Sequence, residues 1–494
     1  MGAAIPALDR DRQRRVAEAL RAFLPARSVL WEAEDTRPYE CDGLTAYRQV
    51  PMVVALPETE EEVRRVLRTC HDLEVPVVPR GAGTGLSGGA LPPGDGVLLS
   101  MAKFMRVVRV GPVAQVAVVQ PGVRNAAISD VVAPFGLYYA PDPSSQIACT
   151  IGGNVAENSG GVHCLKYGLT TNNVLGAEVV LMDGQVVRFG GKQLDSGGYD
   201  LLGVLVGSEG LLGVVTEVTV RLLKRPETQS AVLLGFPKSE QAGACVAAII
   251  EAGIIPGGME MMDRPAIHAA EAFVKAGYPL DVEALLIVEL DGPKAEVDEL
   301  CSSVTAIAER CGAVYNRTSQ SEQERLRFWA GRKAAFPAVG RISPDYYCMD
   351  GTIPRKHLAH VLSRIEAMQD TYGLRCANVF HAGDGNMHPL IMFDANKPGE
   401  LQRAEDFGAA ILALCVEVGG TITGEHGVGV EKIDSMCVQF GANELEAFFT
   451  VKRAFDPAML LNPNKAVPTL QRCAEMGKMR VSGGVLPFAD LPRF

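Results

Sequence analysis

The chain has 494 residues, 47% of them hydrophobic, with a formal net charge of −11 at pH 7. This length is too great for one ordinary hydrophobic core and predicts two or three domains. The acidic excess argues against nucleic acid as a partner, because no block of lysine or arginine offsets it. No apolar run approaches the ~18 residues that a membrane-spanning helix needs, and the N-terminus lacks a signal-peptide pattern, so we expect a cytoplasmic protein.

The first half of the chain predicts an α+β domain. Thr59 and Glu62 have the spacing of a capping box at the start of a helix. Strand patterns at 52–56 and 75–79 flank that helix, which makes a β-α-β unit. Asp183-Gly184 predicts a hairpin turn further along the chain.

The pattern breaks at Arg225-Pro226, so we divide the chain into domains 1–226 and 227–494. Beyond the break the chain twice runs strand, helix, strand, which predicts a ferredoxin-like sheet with helices on one face. The C-terminal third is more helical, and helices are expected at 356–372, 402–418 and 443–455.

The twelve cysteines are scattered, without a C-x-x-C pair or a metal-finger spacing. Cys245 and Cys415 fall in apolar helical patterns, where a thiol behaves as a small hydrophobe. This usage fits a reducing compartment. We expect no iron–sulfur cluster within the chain itself.

Glycine-rich segments in the first half predict a phosphate-binding site. The segment 80–90 follows a strand, and its glycine density lets backbone amides approach a phosphate. It is not a P-loop, because no Gly-Lys-Ser/Thr follows, and it fits the dinucleotide fingerprint poorly, because no apolar helix leaves the loop. Further polar and glycine clusters within 141–161 suggest a large ligand with a diphosphate in its middle.

The stretch from His381 to His388 concentrates histidines around a glycine turn. Asp384-Gly385 predicts a two-residue type I′ turn, which would pair His381 directly with His388. Directly opposed residues hold their Cβ atoms roughly 4.5 to 5.5 Å apart. That separation suits two imidazoles that share one divalent metal.

A second acid-histidine pair occurs between glycines at 424–427. Adjacent side chains of an extended segment point to opposite sides, so we assign Glu425 as a third metal ligand and His426 as a base. Two histidines, one carboxylate and an open position are typical of catalytic zinc, although iron or manganese would also suit these ligands.

The glycine segments resemble the PCMH-type FAD-binding domain of the vanillyl-alcohol oxidase superfamily. The two histidine motifs resemble its metal-dependent 2-hydroxyacid dehydrogenase branch, which includes the flavin subunits of bacterial glycolate oxidases. Further similar segments are 166–168, 329–333, 341–352 and 472–475. The resemblance implies a two-part PCMH-type FAD-binding domain, then a ferredoxin-like α+β substrate domain and a helical C-terminal segment.

By this resemblance FAD is held noncovalently, because the 81–87 loop has no histidine that could tether it. Whether Cys164 touches the flavin is left open by the sequence. Glu209 and 213–215 are expected near the adenine end. The residues expected around FAD are Gly81, Ala82, Gly83, Thr84, Gly85, Leu86, Ser87, Pro141, Ser144, Gly152, Gly153, Asn154, Asn158, Gly161, Glu209, Gly213 and Val215.

The resemblance also implies that His381, His388 and Glu425 bind a metal that lowers the pKa of the substrate hydroxyl. His426 would take the hydroxyl proton while the carbon-bound hydrogen leaves as hydride to flavin N5, and a near-neutral pKa would suit that role. Arg332 would anchor the substrate carboxylate by a bidentate contact.

Phe336, Cys348 and Leu390 align with polar residues of relatives that act on 2-hydroxy diacids. A second carboxylate would lack a partner beside these side chains, so we expect short monocarboxylates, glycolate first and lactate second. The family suggests a separate iron–sulfur subunit and a second FAD-domain subunit as partners, with membrane association only through them.

Two alternatives belong to other functional classes. A zinc metallohydrolase could use the same histidines without redox chemistry, but it does not need the paired glycine segments. A flavin-binding scaffold without chemistry of its own would ordinarily lack the metal residues. An FAD-dependent 2-hydroxyacid dehydrogenase is therefore the leading hypothesis, with D-lactate as the alternative substrate.

Overall fold

The computed structural model describes residues 9–193 and 197–468. The segment 472–475, which contributes to the family resemblance, lies outside the described residues. The helices of the first half are α1 (Arg10–Arg21), α2 (Ala33–Thr36), α3 (Glu60–Asp72), α4 (Asn125–Val132), α5 (Ile151–Glu157), α6 (Cys164–Tyr167), α7 (Thr170–Asn173) and α8 (Leu201–Leu205). Its strands are β1 (Val29–Leu30), β2 (Val53–Ala55), β3 (Val77–Arg80), β4 (Val97–Ser100), β5 (Val107–Gly111), β6 (Val116–Val119), β7 (Leu137–Tyr138), β8 (Val174–Val180), β9 (Val186–Gly190), β10 (Val214–Arg221) and β11 (Leu223–Lys224).

The first half forms two main sheets, of order β1-β2-β4-β3 and β5-β6-β10-β8-β9. The capping box that begins α3 is confirmed: Thr59 Oγ1 accepts from Glu62 N at 3.2 Å, and Glu62 Oε2 accepts from Thr59 N at 3.2 Å. Both β2 and β3 pair in parallel with β4, as a β-α-β unit requires. The hairpin predicted at 183–184 joins β8 and β9.

The second half forms one seven-stranded sheet of order β15-β12-β14-β13-β17-β18-β16. Its strands are β12 (Thr228–Phe236), β13 (Gly258–Asp263), β14 (Ala284–Gly292), β15 (Tyr315–Thr318), β16 (Asp345–Cys348), β17 (Cys376–His381) and β18 (Asn386–Phe393). Its helices are α9 (Ser239–Glu251), α10 (Arg264–Val274), α11 (Lys294–Arg310), α12 (Glu322–Lys333), α13 (Ala335–Val339), α14 (Leu358–Tyr372), α15 (Glu400–Glu417), α16 (Ile433–Gln439) and α17 (Ala442–Phe455). The helices expected in the C-terminal third are therefore present, and this third also adds three strands to the sheet.

Helices cover both faces of this sheet, so the prediction of helices on one face is wrong. Val232 and Leu234 of β12 pack in the cluster that contains α9, α11, α14 and α15. The alternate residues Ala231 and Leu233 pack in a second cluster with α10, α12 and α13. Successive side chains of a strand point to opposite faces, and here both sets are apolar, which is typical of a strand buried on both sides.

The chain returns to the first half after α17. Leu461 forms a parallel bridge with Val77, and Asn462 Nδ2 donates to the backbone oxygen of Glu209 at 2.6 Å. Lys465 Nζ donates to Gly89 O at 2.9 Å. The C-terminal part of the described chain therefore ties the second half to the glycine loops.

A set of three polar side chains in contact, centred on the partly buried His163, also joins the two halves of the molecule. His163 Nδ1 lies 2.8 Å from Asp142 Oδ2, and His163 Nε2 lies 3.0 Å from Glu289 Oε1 on β14. Burial alone would lower the pKa of His163, but the two carboxylates outweigh it and hold that pKa well above its ordinary value.

Among the described helices, none has the length and apolar character to cross a membrane.

Candidate active site

A cavity of about 380 Å³ lies between the glycine loops and the second half of the chain. The residues expected around FAD that line it are Gly81, Ala82, Gly83, Thr84, Gly85, Leu86, Ser144, Gly152, Gly153, Asn154, Glu209, Gly213 and Val215. The lining also includes Lys333, Phe336, His388, Glu425 and His426 from the second half. One continuous space therefore connects the glycine loops with the histidine motifs.

Four residues expected around FAD, namely Ser87, Pro141, Asn158 and Gly161, are not among those that line the cavity. Ser87 accepts the backbone N–H of Val430 through its carbonyl at 3.0 Å, and the Pro141 carbonyl accepts from Asn125 Nδ2 at 3.0 Å. Asn158 ends α5 in the left-handed conformation, and Gly161 lines a different cavity. These four residues belong to the glycine segments, and other residues of the same segments line the cavity.

The cavity wall fits a diphosphate-containing cofactor. Thr150 Oγ1 is buried there without a hydrogen-bond partner in the protein, as a hydroxyl reserved for a ligand would be. A Cβ added at Gly153 would meet its nearest atom only at 3.7 Å, so a ligand can approach that backbone closely. Thr150 and Arg80, which both line the cavity, fall within the predicted glycine segments but are not individually among the residues expected around FAD.

The hairpin that carries both predicted metal histidines has a different register from the predicted one. His381 pairs with Asn386, and His388 pairs with Val379, so the connection spans four residues, 382–385, instead of two. His381 and His388 are therefore diagonal neighbours, not directly opposed. They still share one face of the sheet because the register differs by an even number of residues, and their ring centroids lie 5.0 Å apart.

Both imidazoles point at one oxygen of Glu425. His388 Nε2 lies 2.9 Å from Glu425 Oε1, and His381 Nε2 lies 3.3 Å from the same atom. The other ring nitrogens are also engaged, since His381 Nδ1 lies 2.7 Å from Glu260 Oε1 and His388 Nδ1 lies 3.2 Å from the carbonyl of Met349. Ligating histidines in metal sites are held by such partners on the second nitrogen.

This arrangement needs a positive charge at its centre. A carbonyl only accepts hydrogen bonds, so Met349 O fixes the proton of a neutral His388 on Nδ1 and turns the bare Nε2 toward a carboxylate. Burial would lower the pKa of His381, but Glu260 and Glu425 outweigh it and raise that pKa well above its ordinary value. Burial would likewise raise the pKa of Glu425, and His381 and His388 outweigh it to lower that pKa well below its ordinary value. Either a proton or a metal cation would satisfy these atoms. His388 and Glu425 form, with Asp350 and His426, a group whose ligand atoms all lie within 4.8 Å of one another, and His381 is not part of that group.

His426 reaches the same cluster as Glu425, with its Nε2 3.8 Å from Glu425 Oε1, so the expectation that these adjacent side chains point to opposite sides is wrong. The His426 ring stacks on that of His388 with centroids 4.9 Å apart and an angle of 12° between the planes. Burial is the main reason that its pKa is lowered to about 4, which Asp350 only partly opposes. His426 is therefore neutral at pH 7, with a lower pKa than expected from the sequence, and its buried Nδ1 has no partner in the protein.

Asp350 holds the backbone of the loop that presents Glu425 and His426. Its Oδ2 accepts from His426 N at 2.9 Å, from Gly424 N at 3.1 Å and from Thr423 Oγ1 at 2.5 Å. Burial would raise the pKa of Asp350, but His426, Lys432 and His388 outweigh it and lower that pKa to about 2. Asp350 lies in a segment that contributes to the family resemblance, yet sequence reasoning assigns no role to this residue.

Arg332 is almost completely buried and forms an ion pair with Glu260. Its Nε donates to Glu260 Oε2 at 2.8 Å, and the other oxygen of Glu260 contacts His381. Arg332 is not among the residues that line the cavity, whereas its neighbour Lys333 is. The described contacts of Arg332 therefore place it behind a metal ligand, and its role as a substrate anchor stays a prediction.

The remaining side chains of interest have distinct positions. Phe336 lines the cavity, with its ring centroid 6.0 Å from that of His388. Cys348 offers its sulfur within 4.8 Å of ring nitrogens of His388 and His426, while Leu390 is buried in the core beneath α12 and α13. Cys164 lines a second cavity and not the one at the glycine loops.

Comparison with known proteins gives matches along almost the whole chain. The FAD binding domain model matches residues 51–190, and the model of the C-terminal domain of FAD linked oxidases matches residues 225–466. Glycolate oxidase subunit GlcD of Escherichia coli (strain K12) is 60% identical over 491 residues, which cover 99% of this chain and 98% of that protein. D-lactate dehydrogenase [cytochrome], mitochondrial, of Arabidopsis thaliana is 32% identical and covers 85% of this chain and 74% of its own length.

A solved structure shares the fold. p-Cresol methylhydroxylase with substrate bound has a TM-score of 0.80 at 18% identity, covering 94% of this chain and 98% of its own. This similarity supports the α+β arrangement with a PCMH-type FAD-binding fold. With the matched models and the identity over the full length, it shows that the chain belongs to the family of FAD-linked oxidases and is an FAD-dependent oxidoreductase.

Proposed function

We propose that this chain oxidises glycolate to glyoxylate and passes two electrons to noncovalently bound FAD. The observation that supports this most directly is the single cavity lined by both the glycine loops and His388, Glu425 and His426. A substrate held at the histidines would lie in the same space as the cofactor. The 60% identity to a glycolate oxidase subunit favours glycolate over D-lactate, which is the substrate named for relatives of 30 to 34% identity.

The residues His381, His388 and Glu425 would hold a divalent metal, with zinc as the first candidate. Such a cation would supply Lewis acidity that lowers the pKa of a hydroxyl oxygen. The convergent nitrogens and the partners on both Nδ1 atoms support this assignment. Asp350 would keep Glu425 in position through the backbone of its loop.

His426 would remove the hydroxyl proton of the substrate. A base must be unprotonated to accept a proton, and burial keeps this ring neutral at pH 7. Stacking on His388 fixes the ring plane beside the cluster. FAD, when bound, supplies the acceptor for the hydride that leaves the substrate carbon.

The wall next to the cluster favours small substrates. Phe336 and Cys348 place an aromatic ring and a thiol near His388, and neither can pair with a second carboxylate. Leaving such a charge unpaired in a buried pocket costs several kcal/mol. A monocarboxylate such as glycolate avoids that cost.

The electrons would leave the flavin through a partner protein. The similar protein of Escherichia coli is named as a subunit of glycolate oxidase, which implies partner chains for that protein. We propose an iron–sulfur subunit and a second FAD-domain subunit as the partners. Contact with the inner face of the membrane would then occur through them.

The test is anaerobic titration of the purified, FAD-loaded chain with glycolate, D-lactate, L-lactate and D-2-hydroxyglutarate. We expect glycolate to bleach the flavin absorbance with the highest kcat/KM and the diacid to be the poorest substrate. If D-lactate reduces the flavin faster than glycolate does, D-lactate would replace glycolate as the proposed substrate. A flavin that none of the four reduces would refute the proposed function.

A further inference from the structure

The loop that carries the two proposed site residues Glu425 and His426 is held from both halves of the molecule. The second half holds its N-terminal part through Asp350, which accepts from the backbone N–H groups of 424–426. The first half holds its C-terminal part through Glu209. Glu209 Oε1 accepts from Val428 N at 2.7 Å, and Oε2 accepts from Gly429 N at 2.7 Å.

Glu209 is itself fixed firmly within the first half. It is 6% exposed, and its backbone N–H donates to Ala156 O at 2.8 Å. Its own carbonyl accepts from Asn462 Nδ2. With both main-chain groups bonded and both carboxylate oxygens on the loop, Glu209 acts as a rigid link between the halves.

The loop that carries Glu425 and His426 lies so close to the first half that only glycine fits at two of its positions. Gly427 has φ +80°, and a Cβ there would overlap the carboxylate of Glu157. Gly429 has φ +53°, and a Cβ there would overlap the carbonyl of Ser87. Both positions therefore need glycine for conformation and for space. Ser87 O also accepts from Val430 N, so the glycine loop of the FAD domain contacts this segment directly.

We propose that Glu209, although it lines the cavity, is a positioning residue for the reaction, because its carboxylate is engaged by the 428–429 backbone and not free to bind the adenine end of FAD. By holding 428–429 against the FAD domain, it sets where His426 and Glu425 stand relative to the flavin cavity. Small displacements of reacting groups cost large factors in rate, so this link should affect the chemical step more than cofactor affinity. The inference rests on the proposed function for the identity of the reaction.

The test compares Glu209→Gln with the wild-type holoenzyme. The amide keeps one acceptor oxygen but turns an NH₂ group toward a backbone N–H, so one of the two bonds is lost. Hydrogen exchange followed by mass spectrometry should show faster exchange in a peptide covering 424–431 and unchanged exchange in the hairpin 376–393. In stopped-flow experiments the rate of flavin reduction at saturating glycolate should fall about tenfold or more, with the FAD dissociation constant within about threefold of wild type.

Glu178→Gln is the matched control. Glu178 is also a buried carboxylate, and it accepts from Arg188 Nε at 2.7 Å, but among the described residues it forms no hydrogen bond with the 424–431 loop. This variant should lose stability without a change in loop exchange or in the rate of flavin reduction. If Glu209→Gln fails to fold, Glu209→Asp provides the second test, with a smaller loss of rate.

The outcomes separate the two proposals. A weaker FAD affinity with an unchanged reduction rate for the bound fraction would assign Glu209 to cofactor binding and overturn the inference. Unchanged loop exchange in Glu209→Gln would overturn it independently of any substrate. A wild-type flavin that glycolate does not reduce would instead count against the proposed function, while the exchange result would still decide the role of Glu209.

Discussion

Glu425 Oε1 lies 2.9 Å from His388 Nε2, although 37 residues separate them along the chain. The Met349 carbonyl can only accept a hydrogen bond, so it places the proton of a neutral His388 on Nδ1. His388 Nε2 then faces Glu425 Oε1 with a lone pair on each atom, which is repulsive. A cation between the ring and the carboxylate would turn this repulsive pair into a ligand set.

Replacing His388 with alanine should remove the metal and the reaction but leave FAD bound. The wall around the glycine loops is built by other residues, so the flavin spectrum should persist. Loss of Lewis-acid assistance is worth several kcal/mol, so kcat should fall at least about 100-fold. Elemental analysis and steady-state kinetics check this. His268→Ala, in an exposed region of α10, is the control, and equal metal content in both variants would contradict the ligand assignment.

Arg332 and Lys333 can be separated by parallel variants. Arg332→Met leaves Glu260 buried without its ion-pair partner, which should cost about 3 to 5 kcal/mol of unfolding free energy. Metal affinity should fall too, because Glu260 holds His381. Lys333→Met should leave stability unchanged. Denaturant unfolding and metal titration measure both effects. An Arg332→Met enzyme with normal stability and metal content but a raised KM would restore Arg332 as the substrate anchor.

Gly83→Ala should weaken FAD binding. Gly83 has φ +70°, and an added Cβ would overlap the Arg80 guanidinium at the cavity wall. The FAD dissociation constant should rise about tenfold, which corresponds to about 1.4 kcal/mol. Fluorescence titration of the apoprotein measures it.

Gly136→Ala controls for the backbone conformation alone. Gly136 has φ +68°, and an added Cβ would meet nothing within 4 Å. This variant should show the same conformational cost of about 1 to 2 kcal/mol in stability without a change in FAD affinity. Similar affinities for the two variants would mean that the wall at Gly83 does not touch the cofactor.

Asp350 should contribute stability that is lost in acid. Its pKa is lowered to about 2 in the folded state, from 3.8. Such a carboxylate stabilises the fold above its unfolded pKa, and the contribution disappears as the pH falls through about 4 toward 2. A shift of this size corresponds to about 2 kcal/mol. The difference in unfolding free energy between wild type and Asp350→Asn should therefore be largest near pH 7 and shrink below pH 4. A difference that does not vary with pH would show that Asp350 does not titrate in this way.

Much of the hairpin follows from its sequence, but its register does not. The apolar strands beside Asp384-Gly385 predict β17 and β18 correctly. In the four-residue connection Gly385 N donates to His381 O at 3.0 Å, and Gly385 O accepts from Ile353 N at 3.0 Å. That contact comes from another part of the chain, so a local turn rule cannot include it. The shared face of the two histidines was predicted correctly because only an odd shift would have separated them.

The two-sided burial of the large sheet did have a sequence signal. The run from Ala231 to Leu234 is continuously apolar, which is typical of a strand covered on both faces. By contrast, the groups that support the site come from distant positions. Asp350 reaches His426 across 76 residues, Glu260 reaches His381 across 121, and Glu209 reaches Val428 across 219. No local pattern encodes such contacts, so the sequence can suggest candidate ligands but not the groups that support them.

The most direct measurement is anaerobic stopped-flow reduction of the FAD-loaded chain by glycolate and by glycolate deuterated at C2, before and after metal removal. We expect rapid bleaching of the flavin, slowed by deuterium because the C2–H bond breaks in that step. Bleaching should be lost with the metal and recovered when zinc is restored. A flavin that glycolate leaves oxidised, or a reduction rate that is unaffected by metal removal, would contradict oxidation at the His381, His388 and Glu425 site.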